Sequence, residues 1–284
     1  MIRLISRSEE IELKWWTFPG GERNVKIVDS EIIAGVANTY IIECLFKGSD
    51  DLIDMMLLVN AIRNANVSPF PVNIALSIPY FPFARQDRVM TVGEPFALQI
   101  AVNIIKSCNF DLIFTYDPHS DVLAGMFEPG KLVVHYQYEL MKSLIQGLPF
   151  YNKNSALISP DAGALKKIYS LAKELDFPVI EASKKRDVKT GEIVKTAIDT
   201  KELSSYDVLY VVDDICDGGR TFIELAKVIR DGGFAGELYL CVTHGIFSKG
   251  IEVLDIFDGV FTANNMGNVS DSDLRTFNAK KARF

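Results

Sequence analysis

The sequence has few cysteines and no long apolar run, and each absence excludes a class of protein. The four cysteines, Cys44, Cys108, Cys216 and Cys241, form no Cys-x-x-Cys pair, which argues against a disulfide framework and against a zinc knuckle. No stretch approaches the roughly 20 apolar residues of a membrane-spanning helix, and the opening MIRLISRSEE lacks the apolar core of a secretory signal. We therefore expect reduced cysteines, no membrane partner and a cytoplasmic location.

Basic residues are also in deficit. The chain has 30 Lys and Arg against 37 Asp and Glu, a net charge of −7 over 284 residues. This is the wrong sign for non-specific nucleic-acid binding, so a polyanionic ligand would have to be met by a local basic cluster. The length allows one large domain or two of ordinary size, each with its own core.

The stretch from Asp207 to Ala226, DVLYVVDDICDGGRTFIELA, predicts a strand, an acidic and glycine-rich turn, and a helix. Val208 to Val212 is a continuous apolar run rich in β-branched residues, typical of a strand buried on both faces of a parallel sheet. Asp213 and Asp214 are expected where this strand ends. Helical spacing begins at Phe222 and runs out at the glycines after Asp231.

This turn has the chemistry of a sugar-phosphate site. Gly218 and Gly219 permit a tight turn whose N–H groups, with the positive end of the helix dipole, suit a phosphate. Asp213 and Asp214 would repel that phosphate, and ionised carboxylates only accept hydrogen bonds, so sugar hydroxyls are their expected partners. Two glycines alone would indicate an ordinary strand-to-helix turn. The three acids and the threonine of this loop favour the binding site.

Strands alternate with helices through the whole chain, which predicts an α/β protein with parallel sheets and ligands at the strand ends. The predicted strands are Val25–Val28, Tyr40–Phe46, Val72–Tyr80, Asp111–Thr115, Ala156–Ser159, Pro178–Glu181, Val208–Val212 and Glu237–Val242. The loop-like stretch Gly147–Asn154 predicts a boundary between an N-terminal domain, 1–146, and a C-terminal domain, 147–284.

Other polar groups follow these strands. Arg85 to Arg88 lie beside aromatic residues after one strand, where arginines can stack on a purine and bind phosphate oxygens, although a solvated charge run fits equally well. His119 follows the next strand. Ser183 to Gly191 is a basic segment, expected to be flexible, in an acidic protein. Phe18 and Glu22 flank a Pro-Gly-Gly bend, which by itself indicates a hairpin.

The loop DDICDGGRT resembles the phosphoribosyl pyrophosphate binding loop of the type I phosphoribosyltransferase fold. Six segments occur in the order found in ribose-phosphate pyrophosphokinases: SIPYFPFARQDRV, TYDPHSD, ISPDAGA, SKKRD, VVDDICDGGRT and VTHGIFSKG. The resemblance covers most of the chain. It implies two similar doubly wound parallel-sheet domains of that fold, which transfer the β,γ-diphosphate of ATP to the 1-hydroxyl of ribose 5-phosphate and release AMP.

The same resemblance implies roles for individual residues. It makes Lys184, Arg186, Arg88 and His119 catalytic. It assigns ATP binding to Phe18, Glu22, Arg85, Gln86 and Arg88, and ribose 5-phosphate binding to Asp213, Asp214, Asp217, Gly218, Gly219 and Thr221. His119 and Asp161 are the implied ligands of the cofactor Mg²⁺. It also implies a homo-oligomer, dimer or hexamer, in which Phe18 and Glu22 reach the adenine of a neighbouring subunit, and last residues that pack back on the N-terminal domain.

Three positions depart from the family pattern. Gly20 stands where an acid is usual. The loop ends Gly-Gly-Arg-Thr instead of Thr-Gly-Gly-Thr, so one hydroxyl donor to the 5-phosphate is missing, and we expect Arg220 to supply charge in its place. Val89-Met-Thr-Val follows Arg88 where further basic residues are usual, so we expect weak or absent control by phosphate or ADP.

Two alternatives stay open. A phosphoribosyltransferase would use the same Asp213 and Asp214 loop, but with a base or acid as substrate and without ATP. A non-catalytic regulatory subunit of a synthetase complex is the other, although related silent proteins typically lose the basic segment in which Lys184 and Arg186 stand here.

Overall fold

The strands and helices fold into two α/β units, the first ending at His135 and the second beginning at Tyr136. The computed structural model describes residues 1–30, 33, 39–151, 153–186 and 193–267. Within these ranges the side chains of 183–186 and 193–196 are not described. Among the residues described, no helix is long and apolar enough to cross a membrane.

The first unit is built on a six-stranded sheet of order β2-β1-β5-β6-β7-β8. Strands β5 to β8 are parallel, and β1 pairs antiparallel with both β2 and β5. Two further strands, β3 and β4, form a separate antiparallel hairpin. The strands are β1 Ile2–Ser6, β2 Glu9–Ile11, β3 Leu13–Thr17, β4 Arg23–Ile27, β5 Thr39–Cys44, β6 Asn73–Ser77, β7 Leu112–Tyr116 and β8 Leu132–His135, and the helices are α1 Asp50–Ala65, α2 Ala97–Ser107 and α3 Val122–Gly125.

Helix α1 buries one face against this sheet. Leu52, Met55, Val59 and Ile62 recur at helical spacing, and all are buried in the core of the first unit. Ser49 directly precedes this helix, but its side chain makes no capping hydrogen bond. Asp51 Oδ2 instead accepts from the N–H groups just before the helix, at 2.6 and 3.2 Å.

The second unit has a five-stranded, wholly parallel sheet of order β10-β9-β13-β14-β15. A two-stranded antiparallel sheet of β11 and β12 is separate from it. The elements are α4 Gln137–Gln146, β9 Ser155–Ser159, α5 Leu165–Leu175, β10 Val179–Glu181, β11 Ser183–Arg186, β12 Ile193–Ala197, β13 Val208–Cys216, α6 Arg220–Asp231, β14 Glu237–Gly245 and β15 Gly259–Asn265, with short 3-10 helices at Leu203–Ser205 and Glu252–Leu254.

Strand β13 lies at the centre of this sheet and is buried on both faces. Leu209 and Val211 point into the core that α6 covers, whereas Val208, Tyr210 and Val212 point into the core that α4 and α5 cover. Every side chain of the predicted apolar run therefore has apolar neighbours, as a central parallel strand requires. The predicted α/β class with parallel sheets is confirmed.

Helix α4 belongs to the second unit. Its buried residues Met141, Leu144 and Ile145 share a core with Leu157 of β9 and Leu171 of α5. The sequence predicts the boundary after residue 146, at the loop that follows this helix, whereas the structure divides the chain just before it.

Candidate functional site

In both units, most of the predicted site residues follow the carboxyl ends of parallel strands. Asp161 comes just after β9, the glycines of the Asp213–Thr221 loop follow β13, and Arg85 and His119 follow β6 and β7. Neighbouring strands of a parallel sheet end at the same edge, which is where such sheets bind ligands. Each unit therefore carries its own set of candidate groups.

The sequence predicts the two adjacent acids, Asp213 and Asp214, at the end of the strand. In the structure they lie inside strand β13, which continues to Cys216. Ile215 and Cys216 still pair with His244 and Gly245 of β14, which carries the strand past the acids. Asp213 is half-buried and Asp214 is buried, and the Asp214 N–H donates to Asp213 Oδ1 at 2.8 Å. Pairing with β14 therefore fixes the backbone that carries both carboxyl groups.

This arrangement carries excess negative charge. The pKa of Asp213 is raised well above its usual value, because burial removes water from its carboxyl group and because the carboxylates of Asp214 and Asp161 repel its charge. Lys167 offsets part of that charge, since its Nζ lies 3.4 Å from Asp214 Oδ2. Hydroxyl donors or a cation would relieve the remainder.

Gly219 is the residue on which the loop turns. Its φ of +74° is left-handed, and it is the N-cap residue of α6. A Cβ atom there would lie 2.9 Å from Leu254 Cδ2, so both the backbone and the packing require glycine. The 12-residue helix begins at the next residue, which directs the positive end of its dipole and its first N–H groups to this loop. Thr221, half-buried, stands in that first turn.

Arg220 was expected to supply charge to the loop, but in the structure it pairs with a residue of its own helix. Its side chain is 84% exposed, and its Nε donates to Glu224 Oε1, one turn along the helix, at 2.8 Å. A guanidinium engaged on the outer surface of α6 is poorly placed to replace the missing hydroxyl donor of the loop.

Asp161 is fixed at the end of β9. Its Oδ1 accepts from the N–H groups of Gly163 at 3.0 Å and Ala164 at 3.2 Å. The Ser159 hydroxyl donates to the Asp161 carbonyl oxygen at 2.8 Å. The carboxyl group is therefore oriented by the turn that precedes α5.

In the first unit, the loops after β6 and β7 meet at Asp87. This buried carboxylate accepts two hydrogen bonds from the exposed Arg88, at 2.7 Å from Nε and 2.9 Å from Nη2. The pKa of Asp87 is lowered to about 2, chiefly by the hydrogen bonds from Arg88, with a smaller contribution from the charge of nearby His119. Arg85 and Gln86 of the same loop are exposed. Asp87 was assigned no role from the sequence, where its signal is an acid within the run Arg85-Gln-Asp-Arg88.

Phe18 and Glu22 stand at the tip of the β3–β4 hairpin. The Phe18 N–H donates to the Glu22 carbonyl oxygen at 2.8 Å, and the Phe18 ring, 46% exposed, meets Trp16 edge-on at 5.9 Å between centroids. A Cβ atom at Gly20 would lie 2.6 Å from Glu22 Oε2. Glycine at this position therefore leaves room for the Glu22 carboxylate.

Lys184 and Arg186 lie on strand β11, in register with Thr196 and Ile193 of β12. Their side chains, and the rest of the predicted basic segment from 187 to 191, are outside the described residues. The structure therefore leaves their implied roles as predictions.

The residues described here fit the implied cofactor Mg²⁺ only in part. Carboxylate oxygens such as those of Asp161 are hard ligands that Mg²⁺ accepts. In the described part of the chain, however, no three His, Cys, Asp or Glu side chains are grouped to hold a metal ion. A magnesium ion here would take most of its ligands from water and substrate phosphates, which is its usual behaviour in proteins.

A buried pair at the ends of β14 and β15 was not assigned a role from the sequence. His244 and Asn264 lie opposite each other in the sheet, with Nδ1 and Nδ2 3.1 Å apart. Both are buried, and His244 is also the neighbour of Ile215 in β13. The segment Thr243-His-Gly at the end of a predicted strand was its sequence signal.

Comparison with known proteins places both units in one family. Residues 5–108 match the family model described as the N-terminal domain of ribose phosphate pyrophosphokinase. Residues 133–270 match the model of the phosphoribosyl transferase domain. The chain belongs to the ribose-phosphate pyrophosphokinase family. The two domains occur in the order that the sequence segments predict.

Two relatives carry the name of this family. A ribose-phosphate pyrophosphokinase of Thermococcus kodakarensis is 27% identical over 243 residues, which cover 85% of this chain and 79% of the relative. One of Thermosipho africanus is 26% identical over 234 residues, covering 82% and 70%. The crystal structure of phosphoribosylpyrophosphate synthetase from Mycobacterium smegmatis matches with a TM-score of 0.76 and 19% identity, over 94% of this chain and 86% of that one. At that identity the match establishes the shared fold.

Proposed function

We propose that this chain is a ribose-phosphate diphosphokinase, which transfers the β,γ-diphosphate of ATP to the 1-hydroxyl of ribose 5-phosphate. The observation that carries the proposal is the loop of β13 and α6, where two fixed carboxylates adjoin a glycine turn at a helix N-terminus. Carboxylates suit sugar hydroxyls, and helix N–H groups suit a phosphate. A ribose that carries a 5-phosphate offers both.

The sugar phosphate takes the groups of this loop in two sets. The carboxylates of Asp213, Asp214 and Asp217 accept hydrogen bonds from the ribose hydroxyls. Gly218, Gly219 and Thr221 surround the 5-phosphate with N–H groups and one hydroxyl. Binding the hydroxyls also relieves the repulsion that raises the pKa of Asp213.

ATP takes the cationic groups of the first unit. Its phosphates are bound by Arg85, Gln86 and Arg88. Its adenine is contacted by Phe18 and Glu22, which a neighbouring subunit of a homo-oligomer supplies. Two features support this assignment: Arg85 and Gln86 are exposed, and Arg88 is held by Asp87 at a defined position on the loop. The oligomer, a dimer or a hexamer, is part of the proposal.

The reaction is a displacement at phosphorus. The ribose 1-oxygen forms a bond to the β-phosphorus of ATP, the bond from that phosphorus to the α,β-bridging oxygen breaks, and AMP leaves. The 1-hydroxyl proton is lost to a base or to water. Such transfers depend mainly on positioning and on neutralisation of the phosphate charge. Lys184 and Arg186 supply that charge at the transferring group, with Arg88 and His119.

Mg²⁺, when bound, supplies further charge neutralisation at the ATP phosphates. Asp161 and His119 are its proposed protein ligands. The fixed orientation of the Asp161 carboxyl group, with Oδ1 engaged by two N–H groups, supports Asp161 as the stronger of the two.

Ion-pair chromatography of AMP tests the proposal. Pure protein is mixed with ATP, Mg²⁺ and ribose 5-phosphate, and AMP should accumulate in equal amounts with 5-phosphoribosyl 1-diphosphate. Asp214→Asn is the inactive control, and Lys227→Ala, which removes an exposed charge elsewhere on α6, is the active one. A phosphoribosyltransferase would instead consume the diphosphate with a base and without ATP, and an inert chain that binds an active synthetase would be a regulatory subunit.

A further inference from the structure

Lys249 is the cation that the second unit brings against its glycine turn. A Cβ atom built on Gly218 would lie 3.4 Å from Lys249 Cε, 3.5 Å from its Cδ and 3.7 Å from its Cγ. The aliphatic part of the lysine therefore runs directly over Gly218. The ammonium group, one bond beyond Cε, ends beside the loop.

The segment that carries Lys249 is tied to the start of that loop. The N–H groups of Ile246 and Phe247 both donate to the Cys216 carbonyl oxygen, at 2.8 and 3.2 Å. The Gly250 N–H donates to the Phe247 carbonyl oxygen at 3.0 Å, which closes a turn around the lysine. The backbone just before Lys249 is thus hydrogen-bonded to Cys216, which lies two residues before Gly218. The Lys249 side chain remains exposed to solvent.

The charge of the loop explains why a cation is needed there. A sugar phosphate carries close to two negative charges, and Asp213, Asp214 and Asp217 add more within the same stretch. A helix N-terminus contributes roughly half a positive charge. Lys167 is already paired with Asp214, and Arg220 is engaged with Glu224 on the outer face of α6.

We propose that Lys249 binds the 5-phosphate of the sugar substrate, reaching it across Gly218. The proposal rests on the proposed function, because it names a further ligand for the substrate of that site.

Equilibrium binding separates this role from catalysis. Ribose 5-phosphate and unphosphorylated ribose are titrated calorimetrically into the full chain with Lys249, and into Lys249→Met and Lys249→Arg. A charge-assisted hydrogen bond at an exposed position predicts a loss of roughly 10-fold in ribose 5-phosphate affinity for Lys249→Met. Lys249→Arg should retain most of the affinity. Affinity for ribose should be the same in all three proteins, and affinity for ATP should not change.

Lys227→Ala is the matched control, because it removes one exposed positive charge from the same unit at a position away from the loop. It should bind ribose 5-phosphate like the unmodified chain. Equal affinity of Lys249→Met and the unmodified chain for ribose 5-phosphate would overturn the assignment of Lys249, as would an effect on ATP alone. If the unmodified chain itself fails to bind ribose 5-phosphate, the proposed function fails instead.

Discussion

At the scale of single residues, Asp213 and Asp87 have pKa values shifted in opposite directions. Burial and neighbouring carboxylates raise the pKa of Asp213. The bidentate bond from Arg88 lowers that of Asp87 to about 2. Asp213 stood out in the sequence as an acid at the end of an apolar run, whereas Asp87 did not. Each has a charged partner next to it in sequence, Asp214 and Arg88, but the burial and the pairing geometry that set the direction of each pKa shift depend on the folded chain.

Asp213→Asn should stabilise the ligand-free protein and weaken its binding of ribose 5-phosphate. A pKa raised on folding means that stability is fully present below the unfolded value of roughly 3.9 and is lost as pH rises through the folded value. The uncharged asparagine escapes that loss. The Tm difference between variant and unmodified chain, measured from pH 4 to pH 8, should therefore grow with pH, while the KM for ribose 5-phosphate rises roughly 10- to 100-fold.

Asp231→Asn, which removes an exposed carboxylate at the end of α6, is the control. A Tm difference for Asp213→Asn that is zero, or that shrinks as pH rises, would show that folding does not disfavour the ionised form of the Asp213 carboxyl group.

Asp87→Asn should destabilise the first unit. The depressed pKa of Asp87 contributes stability that is present above the unfolded value of roughly 3.9 and is lost as pH falls through about 2. Because Arg88 is exposed, we expect only about 1 kcal/mol, or about 2–4 °C in Tm, at pH 7. Unfolding curves at pH 7, 5, 4 and 3 should show the gap narrowing below pH 4. A gap independent of pH would mean that packing, and not the Arg88 pair, is lost.

At the scale of elements, local patterns predicted the central strands and helix α6, because their apolar runs and helical spacing are continuous. Seven strands were missed: β1, β2, β3, β8, β11, β12 and β15. Strand β8 has only four residues, all half-buried, and so carries no strong pattern of its own. The extension of β13 past the acids depends on pairing with β14, which is a non-local interaction. The sequence therefore located the loop but misplaced its first residue.

Gly219→Ala should weaken the binding of ribose 5-phosphate as well as lower the stability of the fold. A left-handed alanine costs about 1–2 kcal/mol, and its Cβ would also press on Leu254. The resulting shift of the α6 N-terminus should raise the KM for ribose 5-phosphate roughly 10-fold or more, with little change for ATP. Gly233→Ala is the matched control, since its φ of +92° is equally left-handed but a Cβ there meets no atom within 4 Å. Equal kinetic effects of both variants would contradict the role of Gly219.

The β3–β4 hairpin depends on one buried charge. Asp54 of α1 is buried and accepts two hydrogen bonds from Arg23, the first residue of β4. Arg23→Ala would leave that carboxylate unpaired, at a cost of about 3 kcal/mol. Hydrogen exchange should then speed up across Leu13–Ile27, and the KM for ATP should rise if Phe18 and Glu22 bind adenine. The double variant Arg23→Met with Asp54→Leu should recover most of the protection, and no recovery would exclude the buried charge as the cause.

At the scale of the whole molecule, the order of six short segments predicted the family, and both family domains were found in that order. The presence of candidate polar groups in both units was predicted from strand ends, because parallel sheets gather polar residues at one edge. The assignment of ATP to the first unit and of ribose 5-phosphate to the second came from the family resemblance and stays a prediction. The position of the domain boundary depended on whether α4 packs against the strands and helices that precede it in the sequence or against those that follow it. That choice rests on apolar contacts with β9 and α5, which no local pattern reveals.

The fate of ATP tests the central claim most directly. With ³¹P NMR on a mixture of protein, ATP, Mg²⁺ and ribose 5-phosphate, we predict AMP and 5-phosphoribosyl 1-diphosphate in equal amounts, with no ADP and no free diphosphate as primary products. Formation of ADP, or no reaction unless the diphosphate and a base are supplied, would contradict the account.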